Sequence, residues 1–292
     1  NMAVYVTGLR RLIRDVLPEQ ARRREATYLA LAMIGALRGI WNAQGNALII
    51  GLFMLAASAL MRRRWWLAAF LMMVPVYLKT WPIAMALLLV AVFPRPMAWR
   101  FLIALAVGGL LPFLTQRPGI VLWQYHNWVD YMGTISSMSG VYRDLRGVLY
   151  ALGRPPSTLT ISVLQVFTGL LMLAWCLWIR QRISDTGIVV MLALSAGAAW
   201  CMLFGVATEY NTLVVLAPSA CWILISSFQN RRGRFLAVLC FVLPMLLGAG
   251  AVERVLVKIT RAALLTIPTG SLLCMAWLAR YGRGMQSGSG GS

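Results

Sequence analysis

Apolar stretches follow one another along this chain with only short polar breaks between most of them. They run over roughly 28–41, 46–61, 65–78, 82–93, 98–115, 161–179, 187–204, 212–228, 235–252 and 262–279. Several fall short of the roughly 20 residues that a membrane-crossing helix needs. The pair 65–78 and 82–93 is the clearest case. At about 1.5 Å per residue, neither half crosses a hydrocarbon core of about 30 Å. The pattern predicts a hairpin whose Lys79–Pro82 tip lies below the membrane surface in a protein-lined cavity, because irregular backbone at that depth must be buried or wet. The alternative is one long helix over 65–93 with kinks at Pro75 and Pro82.

The polar breaks favour the hairpin. With it, Arg62-Arg63-Arg64, Arg95 and Arg100, Arg180 and Arg182, Arg231, Arg232 and Arg234, and Arg280 and Arg283 all fall on one side, joined by the basic stretch Arg10–Arg24. Tight Lys/Arg clusters in short loops mark the cytoplasmic side. A single span would put the later clusters outside.

Composition agrees with this pattern. Hydrophobic residues make up 60% of the 292 and charged residues only 12%, with a mean hydropathy of +0.75. The expected fold class is an all-α polytopic membrane protein, a bundle of about 10 transmembrane or re-entrant helices with an extracytoplasmic loop region. Residues 1–27 form a cytoplasmic basic amphipathic segment, 28–280 the transmembrane domain with 116–160 as its extracytoplasmic loop, and 281–292 a tail. Within that tail Gly288-Ser289-Gly290-Gly291-Ser292 looks like an added linker. The chain opens on Asn1 with no initiator Met and no signal peptide, so the natural protein is expected to begin further upstream.

The net charge is +19, from 27 Lys+Arg against 8 Asp+Glu. In a soluble chain this balance would point to nucleic acid. Here the basic residues sit between apolar runs and read as topology signals and contacts with anionic membrane lipid, with no nucleic-acid partner. Cys176, Cys201, Cys221, Cys240 and Cys274 all lie inside apolar segments without metal-ligand spacing, and His126 is the single histidine. The cysteines therefore read as packing residues, and no metal or cofactor is expected.

Lys79 stands out against this background. It is one of two lysines and sits in Tyr77-Leu78-Lys79-Thr80-Trp81-Pro82. A cation at membrane depth is costly and marks a cavity, a partner or an anionic ligand. The residues that share its side are Gln44, Asn46, the loop 116–160, Glu209-Tyr210-Asn211, and Glu253 to Arg261, with Arg38 pointing the same way along its segment. This side also carries Arg117, Arg143, Arg146, Arg154, Arg254, Lys258 and Arg261. Positive charge there, against the usual bias, implies either an anionic ligand or lipid headgroups.

The loop 116–160 contains Trp123-Gln124-Tyr125-His126-Asn127-Trp128-Val129-Asp130-Tyr131, followed by Tyr142-Arg143-Asp144-Leu145-Arg146. Aromatics interleaved with polar groups suit sugar recognition, and suit an interfacial helix with an aromatic belt equally well. Arg143 and Arg146 are three apart, so on a helix they would share a face and clamp one phosphate.

Gln44-Gly45-Asn46, the Arg62–Arg64 run, and the second apolar segment ending in Lys79-Thr80-Trp81-Pro82 together resemble glycosyltransferase family 87. Tyr142–Arg146 and Thr208-Glu209-Tyr210-Asn211-Thr212 leading to Leu216-Ala217-Pro218 resemble the same family. The resemblance runs from about residue 28 to 225. Ala43 stands where the family has Gly, and Asn211 where it has a smaller residue.

The resemblance implies a GT-C-type bundle. It implies an enzyme that takes a hexose, usually mannose, from a polyprenyl-phosphate donor and passes it with inversion to a lipid or glycan acceptor at the extracytoplasmic face. The implied place is a multi-pass protein of the bacterial inner (plasma) membrane, with its active site facing outward. The family's general base lies in the loop between its first two helices, which this chain is expected to lack. The chain as given is then expected to be inactive, with Asp130 and Glu209 as the remaining acidic candidates. An inverting transfer needs one base, while a lipid phosphate with a final pKa near about 6 leaves without an acid. Lys79, Arg143, Arg146 and Arg38 are the candidates for the donor phosphate. Gln44, Asn46, His126, Tyr210 and Asn211 are those for the sugar or acceptor.

No Gly-rich phosphate loop or Asp-x-Asp supports a nucleotide-sugar donor. The rival reading is a transporter or flippase of a lipid-linked sugar, which would more often show internal repeats. A structural scaffold is a third reading, and Lys79 and the polar outer loop speak against it.

Overall fold

The computed structural model describes residues 1–17, 23–42, 44–137, 142–205, 208–229, 233–247, 255 and 265–284. Among these the regular structure is helical and no strand occurs. The protein is an all-α membrane protein, as its apolar runs require, because a helix satisfies every backbone group within its own segment.

Helix α1 spans Met2–Asp15, α2 Glu25–Trp41 and α3 Asn46–Met61. Helices α4 (Trp65–Leu78) and α5 (Ile83–Val92) precede α6 (Pro94–Leu110), which ends in a 3₁₀ turn at Leu111–Leu114. Helix α7 covers Pro118–Ser137, α8 Leu145–Ala151, α9 Thr158–Arg182 and α10 Thr186–Phe204. A 3₁₀ turn at Tyr210–Val215 leads into α11 (Ala217–Gln229). Helix α12 (Arg234–Phe241) continues as a π turn over Val242–Leu247, and α13 spans Thr266–Gly284. Three of these helical stretches are long and apolar enough to cross a membrane: Pro94–Leu114, Thr158–Arg182 and Thr186–Phe204.

The segment 1–27, expected as an amphipathic stretch, contains a helix that is built into the bundle. Tyr5, Leu9, Leu12 and Ile13 recur at helical spacing and are buried, while Arg10, Arg11 and Arg14 face outward. This periodicity makes one apolar stripe, and the stripe packs on α3. The two helices touch at Gly8 and Gly51: a Cβ at Gly8 would lie 2.5 Å from the Gly51 carbonyl oxygen. Small residues at a crossing let two backbones approach closely, a common device between membrane helices. The helices run parallel, since Asn1 Nδ2 donates to the Gln44 carbonyl (3.1 Å) at one end and Arg62 pairs with Asp15 (2.7 Å) at the other.

Helices α4 and α5 form the hairpin and not a single kinked span. The rings of Trp65 and Phe93, at the outer ends of the two helices, lie 5.4 Å apart. In one continuous helix they would stand about 40 Å apart. The chain turns at Lys79, whose backbone is extended (φ −150°, ψ 150°). Pro75 is accommodated inside α4 and buried. Against the expectation of an enclosed tip, the Lys79 side chain is exposed. The break between helices opens onto the end of the bundle.

Helix α10 is the axis of the packing, with nearly all of its residues buried among α5, α13 and α9. Helix α9 is as apolar but lies at the edge. Its inner side meets the core through Cys176, whose thiol points at the Leu88 carbonyl (3.5 Å), and through Thr168, which accepts from Trp200 Nε1 (3.0 Å). Its outer side exposes Leu159, Val163, Val166, Phe167 and Leu170. A stripe of this kind suits lipid.

The bundle has two dissimilar ends. Asp15, Arg62, Val16 against Gly187, Trp65 against Phe93, and Trp277 Nε1 on Ser227 Oγ (2.8 Å) lie at one end with most of the arginines. Gln44, Asn46, Lys79, Thr208 and Asn211 lie at the other.

Candidate functional site

Four pieces of chain meet at the polar end. The first is the turn between α2 and α3. Gly45 leaves room there, with nothing near its missing side chain, and Asn46 opens α3. Asn46 is fully buried and its amide is fully used. Its Nδ2 donates to Gln44 Oε1 (3.0 Å) and to the Asn211 carbonyl (3.2 Å), and its Oδ1 accepts from Lys79 Nζ (2.9 Å). The second piece is thus the hairpin tip, which delivers the ammonium of Lys79 to a neutral amide. An amide oxygen orients the cation without cancelling its charge, so the ammonium keeps two donors for another acceptor.

The third piece is the 3₁₀ turn that starts at Tyr210. Glu209 precedes it in extended backbone, and Thr212 Oγ1 accepts from the Glu209 backbone N–H (3.2 Å). The other half of this capping box turns the Glu209 side chain onto the Thr212 backbone N–H. Its Oε2 sits 3.5 Å from both Gln44 Nε2 and Asn211 Nδ2, at the outer limit of a hydrogen bond. Glu209 is exposed, and its charge acts on Lys79. Asn211 ties the turn back to α2: its Oδ1 accepts from Asn42 Nδ2 (2.8 Å). Asn42 was not among the sequence candidates. A smaller residue at 211 would leave Asn42 without this partner. The signal was available, as Asn42 is the first polar residue after an apolar helix and lies two before Gln44.

The fourth piece is the segment 142–146. Arg143 donates its backbone N–H to the Thr208 carbonyl (2.8 Å), which fixes the segment beside Glu209. Asp144 caps α8 by accepting from Gly147 N–H (2.9 Å), and it also accepts from the backbone of Thr208 and Arg146. Burial raises its carboxyl pKa above the ordinary value in spite of these bonds and of the Arg146 charge. The expectation that Arg143 and Arg146 share a helix face is corrected here. Asp144 is the cap, so the helix begins at Leu145 and Arg143 lies outside it. Both arginines are half-buried next to the Thr208–Glu209 strand of chain.

Other candidates stand apart. Asp130 and His126 are one turn apart on α7 and pair with each other (3.4 Å), both well exposed. Most of the expected loop 116–160 is therefore helix. Helix α7 is held to the bundle by Tyr125, whose hydroxyl donates to the Gly109 carbonyl (2.5 Å), and by Val121, which is buried. It presents Trp123, Trp128 and Tyr131 outward. The side chains of Arg38 and Tyr210, and Arg254, Lys258 and Arg261 in full, lie outside the described residues. Among the described residues no three His, Cys, Asp or Glu side chains gather as metal ligands.

The site is thus an exposed arrangement of one lysine, one glutamate and four amides, with two arginines on an adjacent segment. It offers cationic and amide donors to an anion, and one carboxylate to a hydroxyl or to the lysine. It does so at the end of an apolar bundle, where a ligand with a lipid tail and a polar head would arrive.

A family model described as glycosyltransferase family 87 matches residues 1–205 of the 292. No curated protein and no solved structure matches the chain.

Proposed function

The chain belongs to glycosyltransferase family 87, a membrane glycosyltransferase family, and we propose that it transfers a hexose, mannose in the first instance, from a polyprenyl-phosphate donor to a lipid or glycan acceptor. The proposed architecture is a GT-C-type bundle in the bacterial inner membrane, with the polar end facing outward. One observation carries the reading: Lys79 is presented at the end of an apolar bundle by an amide and not by a carboxylate. A lysine meant only for structure would be expected to pair with an acid. This one keeps a net positive charge at the place where a lipid-borne phosphate would lie.

The roles follow from charge. Cleavage of the sugar–phosphate bond leaves charge on the phosphate, and cations fixed in place stabilise it most when they need not reorganise. Lys79 is assigned to that phosphate, with Arg143 and Arg146 as second contacts. Asn46 orients Lys79. Gln44 and Asn211 have amide groups at the rim and are assigned to sugar hydroxyls. Glu209 is assigned to positioning: it lies between Gln44 and Asn211 and offsets part of the Lys79 charge before donor arrives. Asp130 is assigned no part in the transfer, since it pairs with His126 on its own helix.

The test is donor consumption. The full-length natural protein in liposomes is given polyprenyl-phosphate mannose, polyprenyl-phosphate glucose or a nucleotide sugar, each radiolabelled, with membrane-extract acceptors. Loss of label from a polyprenyl-phosphate donor that collapses in Lys79→Ala supports the reading. Use of the nucleotide sugar, or consumption indifferent to Lys79→Ala, defeats it.

A further inference from the structure

At the basic end, far from Lys79, a groove of about 380 Å³ opens between α11 and α12. Leu224 and Phe228 of α11, Val238 and Phe241 of α12, and Val242 make its apolar walls, and Arg24, just before α2, stands at its edge. A second arginine frames it: the Arg234 guanidinium lies over the Phe228 ring, 5.5 Å from its centre, with Nη2 3.5 Å from the Phe228 carbonyl.

We propose that this groove binds one anionic diacyl phospholipid of the surrounding leaflet, with part of an acyl chain between α11 and α12 and the phosphate on Arg24 and Arg234. Three observations carry it. The walls are almost wholly apolar, so a peptide laid there would leave its backbone groups without partners. The charge at the edge is positive and unopposed: among the described residues no carboxylate pairs with Arg24, because its neighbour Glu25 is taken by Arg10 (2.9 Å) and Arg14 (3.1 Å). The groove also sits at the basic end of a membrane bundle, where basic pockets between helices hold lipid headgroups. The site is independent of the donor site, so it stands or falls separately from the proposed activity.

The experiment is a native mass spectrometry titration of the purified full chain in detergent. Phosphatidylglycerol, phosphatidylcholine and a polyprenyl phosphate are added in turn, and the apparent Kd of the first bound lipid is read. Phosphatidylglycerol is expected to bind more tightly than phosphatidylcholine, and the polyprenyl phosphate to leave the phosphatidylglycerol Kd unchanged, since its own site lies at the other end. Arg24→Gln and Arg234→Gln should each weaken it about fivefold, as loss of one surface cation predicts. Val238→Trp should fill the groove and remove the first site while leaving both arginines in place. A circular dichroism spectrum shows that each variant is folded, and Arg24→Gln leaves the Arg234–Phe228 contact of the wall in place. Equal affinity for phosphatidylcholine, or a phosphatidylglycerol Kd unchanged in the arginine variants, would overturn the proposal.

Discussion

The two ends of this bundle use charge in different ways. At the basic end two acids are matched by arginines at the rim: Asp15 takes Arg62, and Glu25 takes Arg10 and Arg14. In each pair an exposed arginine meets a partly covered carboxylate at the surface, and such rim pairs contribute little and are screened by salt. At the polar end a single lysine is held by a buried amide, which is itself held by a second amide and a backbone carbonyl. The first arrangement neutralises charge and orients the bundle. The second fixes a charge in position and leaves it available. Net charge alone would rank the basic end as the binding site, and geometry reverses that ranking.

The largest effect expected is at Lys79. Lys79→Ala should lower donor consumption about 10²–10³-fold, the scale of losing one preorganised donor to developing charge. Lys79→Arg should recover part of it, because the charge returns with a different reach. Heat stability in detergent should fall by no more than about 1–3 kcal/mol, the cost of leaving the buried Asn46 Oδ1 without this donor. A large drop in stability with little loss of turnover would make Lys79 a structural residue, and the contrast between the ends would fail.

Asn46 comes next. Asn46→Leu is nearly isosteric but leaves Lys79 and the Asn211 carbonyl without their partner, so it should cost about 1–3 kcal/mol of stability as well as activity. Asn46→Asp sharpens the comparison, because it turns the polar end into a basic-end pair. Activity should not recover, since the new carboxylate neutralises Lys79, and stability should recover only in part, because a carboxylate cannot donate to Gln44 Oε1 and the Asn211 carbonyl. Thermal unfolding and donor consumption on the same preparations separate the two.

Glu209→Gln tests the role given to that residue. Loss of positioning contacts should cost about tenfold in rate with the pH dependence unchanged. A fall of about 10²–10⁴, together with disappearance of the acidic limb of the pH–rate curve, would make Glu209 the general base instead.

Much of this was readable from the sequence, and the exceptions have physical causes. Helices α3 and α4 fall at the expected 46–61 and 65–78, because Arg and Gly at their ends interrupt unbroken apolar runs. The hairpin was legible in the shortness of its halves. Helix α1 was not, because its apolar stripe is diluted by arginines and shows only at a spacing of three to four. The run expected over 212–228 divides at Leu216, since Pro218 starts a new helix where a proline is tolerated. In the site, Gln44, Asn46, Lys79 and Glu209 were visible as polar residues in apolar surroundings. Their mutual hydrogen bonds were not, because pairs 165 residues apart leave no local trace. Asn42 was missed for the same reason. Asp130 and His126 look like site residues by type, but they lie on a helix that packs on another part of the bundle.

The smallest effects test whether buried charge at the polar end differs from paired charge at the basic end. Asp144 is only 6% exposed, and burial raises its pKa above the usual 3.8. A carboxyl whose folded pKa is raised lends stability when protonated. That contribution is complete below about pH 3.8 and is lost as pH rises through the folded pKa. Asp144→Asn keeps an oxygen for the Gly147 N–H and removes the charge. It should therefore leave stability at neutral pH unchanged or raise it by up to about 1 kcal/mol, and flatten the slope just above the ordinary carboxyl pKa. Arg62→Gln should do the opposite in kind and less in size. It removes a half-exposed partner of Asp15, costs about 0.2–1 kcal/mol, and costs less in high salt. Matching pH and salt responses from the two variants would mean that both ends hold charge in the same way, and the site would lose its claim to be preorganised.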